Sequence, residues 1–148
     1  MKGQGTVVGD VSIQGTVAPG DSPGTLSVDN ITLTDTSTLE FLLASASEYS
    51  RLVSSGIVTI NSGATLTLTL DDGYVPANST TFDLIDATSI SGTFGTTNLP
   101  TLGVGQSWNT DNLYTSGEVT VIPEPTTLLL LGAGLVGVLA RRKGRKSR

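Results

Sequence analysis

Carboxylates are the only side chains from which this chain could assemble catalytic chemistry. It holds thirteen Asp and Glu among 148 residues, with no His and no Cys. Imidazole general bases, thiolate nucleophiles, Cys/His zinc sites and disulfide frameworks are therefore excluded. Two acid pairs stand close in sequence, Asp71-Asp72 ahead of Gly73, and Asp83 with Asp86. Glycoside hydrolysis needs two carboxylates across a cleft, one of them held protonated by its surroundings. Asp-Asp-Gly is also the expected composition of a tight turn, which accounts for residues 71–73 without any reaction. Apart from Lys2 at its start, Arg51 is the only basic residue of the body, and a lone Arg commonly pairs with a nearby acid. Neither an EF-hand loop nor a Gly-Gly-x-Gly-x-Asp calcium repeat is present. The expectation is a protein that is not an enzyme, with no cofactor and no metal site.

Four aromatics offer binding chemistry instead. Trp108 and Tyr114, helped by Tyr74 and Tyr49, are candidates for stacking on sugar rings. The competing expectation is that Trp108 and Tyr114 plug the end of a stack of sheets.

Such residues need a scaffold, and residues 1–122 have the pattern of an all-β body. From Thr65 to Leu70 the chain reads T-L-T-L-T-L, which sends Leu66, Leu68 and Leu70 to one face and threonines to the other. Leu26/Val28, Ile31/Leu33, Leu39/Phe41/Leu43, Val58/Ile60 and Val119/Val121 repeat the alternation, with Gly-, Pro-, Asn- and Asp-rich turns between them. Only residues 39–46 are ambiguous between strand and helix. Residues 31–43 also lie over residues 58–70 without a gap at an offset of 27. Ile31 then matches Val58, Leu33 matches Ile60, and Leu39, Phe41 and Leu43 match Leu66, Leu68 and Leu70. A repeat of this length predicts a β-solenoid, in which each turn of chain stacks on the last. A hairpin-built β-sandwich is the alternative.

Charge divides the molecule in two. Up to Pro125 there are two cations, Lys2 and Arg51, against all thirteen acids, a net charge of −11. The other six cations crowd the last eight residues. An acidic body repels nucleic acid, and the short basic end is no binding domain for it.

Residues 123–148 form the second part. Pro123-Glu124-Pro125 is followed by fifteen uncharged residues, 126–140, and then by Arg141, Arg142, Lys143, Arg145 and Lys146. As a helix the apolar run would span about 22 Å, short of a hydrocarbon core of about 30 Å unless the flanking Arg side chains reach out to the interface. With no polar face it is expected to be one C-terminal transmembrane helix, and the basic end puts the C-terminus in the cytoplasm and the body outside.

This order of Pro-Glu-Pro, apolar segment and terminal basic cluster resembles the PEP-CTERM sorting tail. The resemblance implies that Pro123, Glu124 and Pro125 are read by exosortase, a membrane-embedded protease and transpeptidase. It further implies that residues 126–140 anchor the precursor transiently in the inner membrane, and that Arg141, Arg142, Lys143, Arg145 and Lys146 stop its transfer. The mature body would then reach the surface or matrix of a Gram-negative bacterium that makes exopolysaccharide, a possible partner. The body has a second resemblance. Residues 17–28, with their Pro-Gly-Asp-Ser-Pro-Gly turn, and residues 49–70 are similar to autotransporter-associated β-repeats. That likeness implies the C-terminal part of a right-handed parallel β-helix. In those repeats Asp often precedes Arg-Leu, whereas Ser50 precedes Arg51-Leu52 here, which leaves Arg51 without the expected ion-pair partner.

The function expected is that of an exported, non-catalytic surface or matrix protein. An adhesin or carbohydrate-binding module and a fragment of a β-helix polysaccharide-active enzyme are the alternatives. Residues 1–6 lack the apolar core of an export signal, and strand-like sequence begins at Thr6. A body truncated at its N-terminus is expected from this.

Overall fold

Strict alternation from Thr65 to Leu70 suits a strand with one wet and one buried face, and the chain makes it one, with Leu66 and Leu68 inside the core. The computed structural model describes residues 1–20 and 23–125, and these are built entirely of strands, turns and loops. Nine strands form two parallel sheets. The first holds β1 (Lys2–Gly3), β3 (Thr16–Pro19), β5 (Thr38–Leu43), β7 (Thr65–Leu70) and β10 (Thr96–Asn98), in that spatial order. The second holds β2 (Gly5–Ile13), β4 (Thr25–Leu33), β6 (Arg51–Ile60) and β9 (Ile85–Gly92). The chain visits the two sheets in turn, and each visit adds a strand beside the previous one. Every ladder in both is parallel, so hairpins do not build this part of the body and the sandwich alternative does not describe it.

The repeat at offset 27 is the register of the central ladders, β4 with β6 from Ile31 onward and β5 with β7. Ile31 pairs with Val58 and Leu33 with Ile60 between β4 and β6. Leu39, Phe41 and Leu43 pair with Leu66, Leu68 and Leu70 between β5 and β7. Stacking like on like buries both copies against one another, and all of these side chains except Leu70 are buried. The core also takes Val17, Leu26, Val28, Leu52, Ala64 and Ile85. On the outer faces, hydroxyls line up in register: Thr16, Thr38, Thr65 and Thr96 across the first sheet, and Ser12, Thr32, Thr59 and Ser91 across the second.

All three ladders of the second sheet shift register at the same level, between Val7 and Asp10, Val28 and Ile31, and Ser54 and Ile57. Stacked bulges leave backbone groups unpaired, and side chains take their place. Asp29 Oδ2 accepts from the Gly9 N–H at 2.6 Å. Asn30 donates to Asp10 Oδ1 at 2.7 Å and accepts from the Ile57 N–H at 2.8 Å. Ser54 Oγ donates to the Asp29 carbonyl at 2.6 Å.

A third sheet closes one end. Here β8 (Thr81–Asp83), β12 (Glu118–Pro123) and β11 (Gln106–Asn109) pair antiparallel in the order β11-β12-β8. Phe82, Leu113, Val119 and Val121 face the core from this cap. Gly117 is needed where the cap meets the second sheet. Its carbonyl accepts from the Leu84 and Ile85 N–H groups, its φ is +76°, and a Cβ there would stand 1.9 Å from the Ile85 carbonyl oxygen. Among the described residues no helix is long and apolar enough to cross a membrane. The expected membrane segment 126–140 and the basic residues after it lie outside the described residues.

Candidate functional site

The Pro-Glu-Pro element begins at the last residue of the last strand, Pro123, and continues just past it. Val119 and Val121 of β12 point into the core, and this burial fixes which way the strand runs and where it stops. Its final residue, Pro123, pairs with Gln106 of β11. On the opposite edge, β8 pairs only with Glu118, Val119 and Thr120, and beyond them Val121 exchanges bonds with Ser79 and Thr80. Proline carries no N–H, so Glu124 has the single backbone donor of the tripeptide. That donor is taken by the Gly105 carbonyl at 2.9 Å. Pro123 and Pro125 are exposed and Glu124 is half-buried. The tripeptide is thus presented at the rim of the folded cap, tethered at its middle.

Gln106 organises the rim. Its backbone faces Pro123, and its side chain joins two loops. Nε2 donates to the Pro76 carbonyl at 3.0 Å and to Asn78 Oδ1 at 3.1 Å, while Oε1 accepts from the Gly103 N–H at 3.1 Å. Residues 73–79, 103–106 and 123–125 are held together around one amide. Sequence reasoning missed Gln106 and Gly105. The stretch T-L-G-V-G before Gln106 has no alternation from which a strand partner for the motif could be foreseen.

The candidate acids serve another purpose. Asp83 and Asp86 flank the Arg51 guanidinium: Nη2 contacts Asp83 Oδ2 directly and lies 3.7 Å from Asp86 Oδ2. Arg51 Nε also donates to the Asp83 carbonyl at 3.1 Å. The ion pair absent next to Arg51 in sequence is supplied from 32 residues further on, by Asp83 at the end of β8, just ahead of the point where Leu52 of β6 pairs with Ile85 of β9. Desolvation is the largest influence on Asp83 and raises its pKa. Arg51 opposes this through charge and hydrogen bonding, while Asp86 and Glu118 add to the rise. Glu118 is the direct cross-strand partner of Asp83. Asp71 and Asp72 occupy an exposed turn, where Asp71 Oδ1 accepts from the Asp72 N–H at 3.0 Å.

The aromatics are divided between two clusters. Trp108 lies against Phe82, with centroids 6.1 Å apart, and its Nε1 donates to the Pro100 carbonyl at 2.9 Å. Tyr49 meets the same Phe82 edge-on at 5.3 Å. Tyr114 instead lies against Phe94 at 6.2 Å, and its hydroxyl accepts from the Phe94 N–H at 3.3 Å. Trp108 and Tyr114 are both half-buried against the core, and each has a polar atom already bonded within the body. Burial also pushes the Tyr74 hydroxyl above its ordinary pKa.

Residues 121–146 match the PEP-CTERM protein-sorting motif. The match begins inside β12, takes in Pro123, Glu124 and Pro125, and runs through the apolar segment into the basic cluster. The motif implies a membrane-anchored precursor that exosortase processes and that is exported to the surface. Among curated proteins, none matches the chain.

Proposed function

We propose that this chain is a non-catalytic surface or extracellular-matrix protein of an exopolysaccharide-producing Gram-negative bacterium, with a parallel β-helix as its body. Exosortase reads Pro123, Glu124 and Pro125, residues 126–140 anchor the precursor in the inner membrane, and the basic cluster stays on the cytoplasmic side. The observation that carries this proposal is the seating of the tripeptide, which begins at the last residue of the last strand, is exposed at both prolines, and stands immediately before the apolar run. A protease takes its substrate as extended chain, and two prolines around one residue favour that conformation.

Two features of the body support a structural role. The two parallel sheets present in-register hydroxyl columns on their outer faces, suited to a hydrated matrix. The acid pair Asp83 and Asp86, a candidate for glycosidase chemistry, is engaged by Arg51. Trp108 and Tyr114 are held by internal contacts, which supports a plug at the end of the stack in preference to a sugar platform.

Replacing Pro123-Glu124-Pro125 by three alanines in the producing cell tests the sorting role. Surface display should be lost while the precursor accumulates in the membrane fraction. Display at the wild-type level would overturn the proposal.

A further inference from the structure

The rim from which the tail leaves is apolar and nearly free of charge, although the body carries −11. Two of the three most exposed large hydrophobic side chains among the described residues stand on it: Val104 is 108 % exposed and Val75 is 67 % exposed. The two loops touch, since a Cβ on Gly103 would lie 3.7 Å from Val75 Cγ1, and the Gln106 amide ties both to the strand that ends in Pro123. No charged residue occurs in 73–82 or 87–110. Glu124 is the one charge of the rim. The nearest others in sequence are Asp71 and Asp72 before the Val75 loop, Asp83 after it, Glu118 at the start of β12, and Asp111 in the turn at the opposite end of the β11–β12 hairpin.

Chain reach brings this rim to a lipid surface. Leu128, the first leucine of the apolar run, is four residues past Glu124, and four residues extend at most about 14 Å. Headgroups add roughly 5–8 Å on each side of the hydrocarbon core. With Glu124 bonded to Gly105, and Val104 adjacent to Gly105, the rim stands in or just above the headgroups once Leu128 enters the core. Acids on that end would be repelled by anionic lipid. Glu124 is the single acid of the rim, and a rim otherwise without acids, with two valines left open to water, fits an interface.

We propose that Val75 and Val104, with Pro123 and Pro125, form a membrane-contact surface that seats the body end-on in the headgroup layer beside its own tail. The occupant is lipid. The inference rests on the tail being a membrane segment, as proposed above. Such seating would fix the height of the Pro-Glu-Pro element at the membrane face before processing.

The chain has no cysteine, so single labels report cleanly. Full-length Val104→Cys, Val75→Cys and Val8→Cys variants, each carrying an environment-sensitive fluorophore, are reconstituted into phosphatidylethanolamine/phosphatidylglycerol vesicles and floated. Val8, on the second strand, is 86 % exposed and serves as the distant control. The labels at 104 and 75 should shift to the blue and be quenched by lipids brominated on the acyl chain, while the label at 8 stays water-like. Water-like emission from all three on floated vesicles would overturn the proposal with anchoring intact, and would point to the processing enzyme as what covers the rim. An equal blue shift at position 8 would overturn end-on seating. Failure of the wild-type chain to float would remove the anchoring on which the inference rests, and the inference with it.

Discussion

Asp83 is the residue whose surroundings are least balanced. It has Asp86 nearby and Glu118 directly across the ladder, and Arg51 is the one cation at hand. A carboxyl whose folded-state pKa lies above its unfolded value binds its proton more tightly in the native state. Its contribution therefore opposes folding at neutral pH, and the penalty is relieved as pH falls through the window just above the ordinary carboxylate value. Arg51 limits that penalty. Arg51→Met should push the Asp83 pKa further up, and Glu118→Gln should bring it down; side-chain carboxyl NMR titration reads both. Because the pair is about one-third exposed on each side, its loss should cost only about 1 kcal/mol in denaturant unfolding. An unchanged Asp83 titration in the Arg51 variant would contradict the assigned pairing. The sequence left Arg51 unpartnered because its acids are distant in the chain and adjacent only through the parallel register.

At the scale of elements, the bulge column and the cap make separable predictions. Asn30 stands in for the ladder partner of the Ile57 N–H and also donates to the Asp10 carboxylate, so Asn30→Ala should destabilise by about 1 kcal/mol, a modest loss because the site is exposed. Gln106→Ala should leave the parallel sheets intact but loosen the rim, and hydrogen exchange at the Glu124 N–H should quicken relative to the Val58 N–H in β6. Equal protection in variant and wild type would mean that Gln106 does not hold the motif. The register of the middle strands was legible because two successive passes happen to share an offset of 27. The passes on either side do not share it. β2 meets β4 at offsets of 20 and 21, and β6 meets β9 at 32 and 33. Turn lengths absorb the difference while the buried positions stay aligned, so a search for a fixed period finds only the central pair. The antiparallel cap left no comparable trace, since β8 has three residues and β11 four, too few for alternation to show.

At the scale of the whole molecule, charge and burial separate a body from its delivery signal. Of the body's acids, Glu124 alone stands within the rim segments that meet the tail. Its one tryptophan helps to close the end of the core, and Trp108→Ala should cost about 3 kcal/mol through lost contact with Phe82 and an emptied cap. A loss under about 0.5 kcal/mol, within the range of surface substitutions, would return Trp108 to the list of ligand-binding residues. The Pro-Glu-Pro element and its basic end were legible because composition alone distinguishes them from everything before residue 123. The tethering of that element to Gly105 was not legible, since it depends on a carbonyl in a loop without pattern. The most direct measurement of the central claim is the intact mass of the protein recovered from the surface of the producing cell. It should lack the basic cluster Arg141, Arg142, Lys143, Arg145 and Lys146, having been cut at the tail. A surface protein that still ends in Arg148 would contradict it.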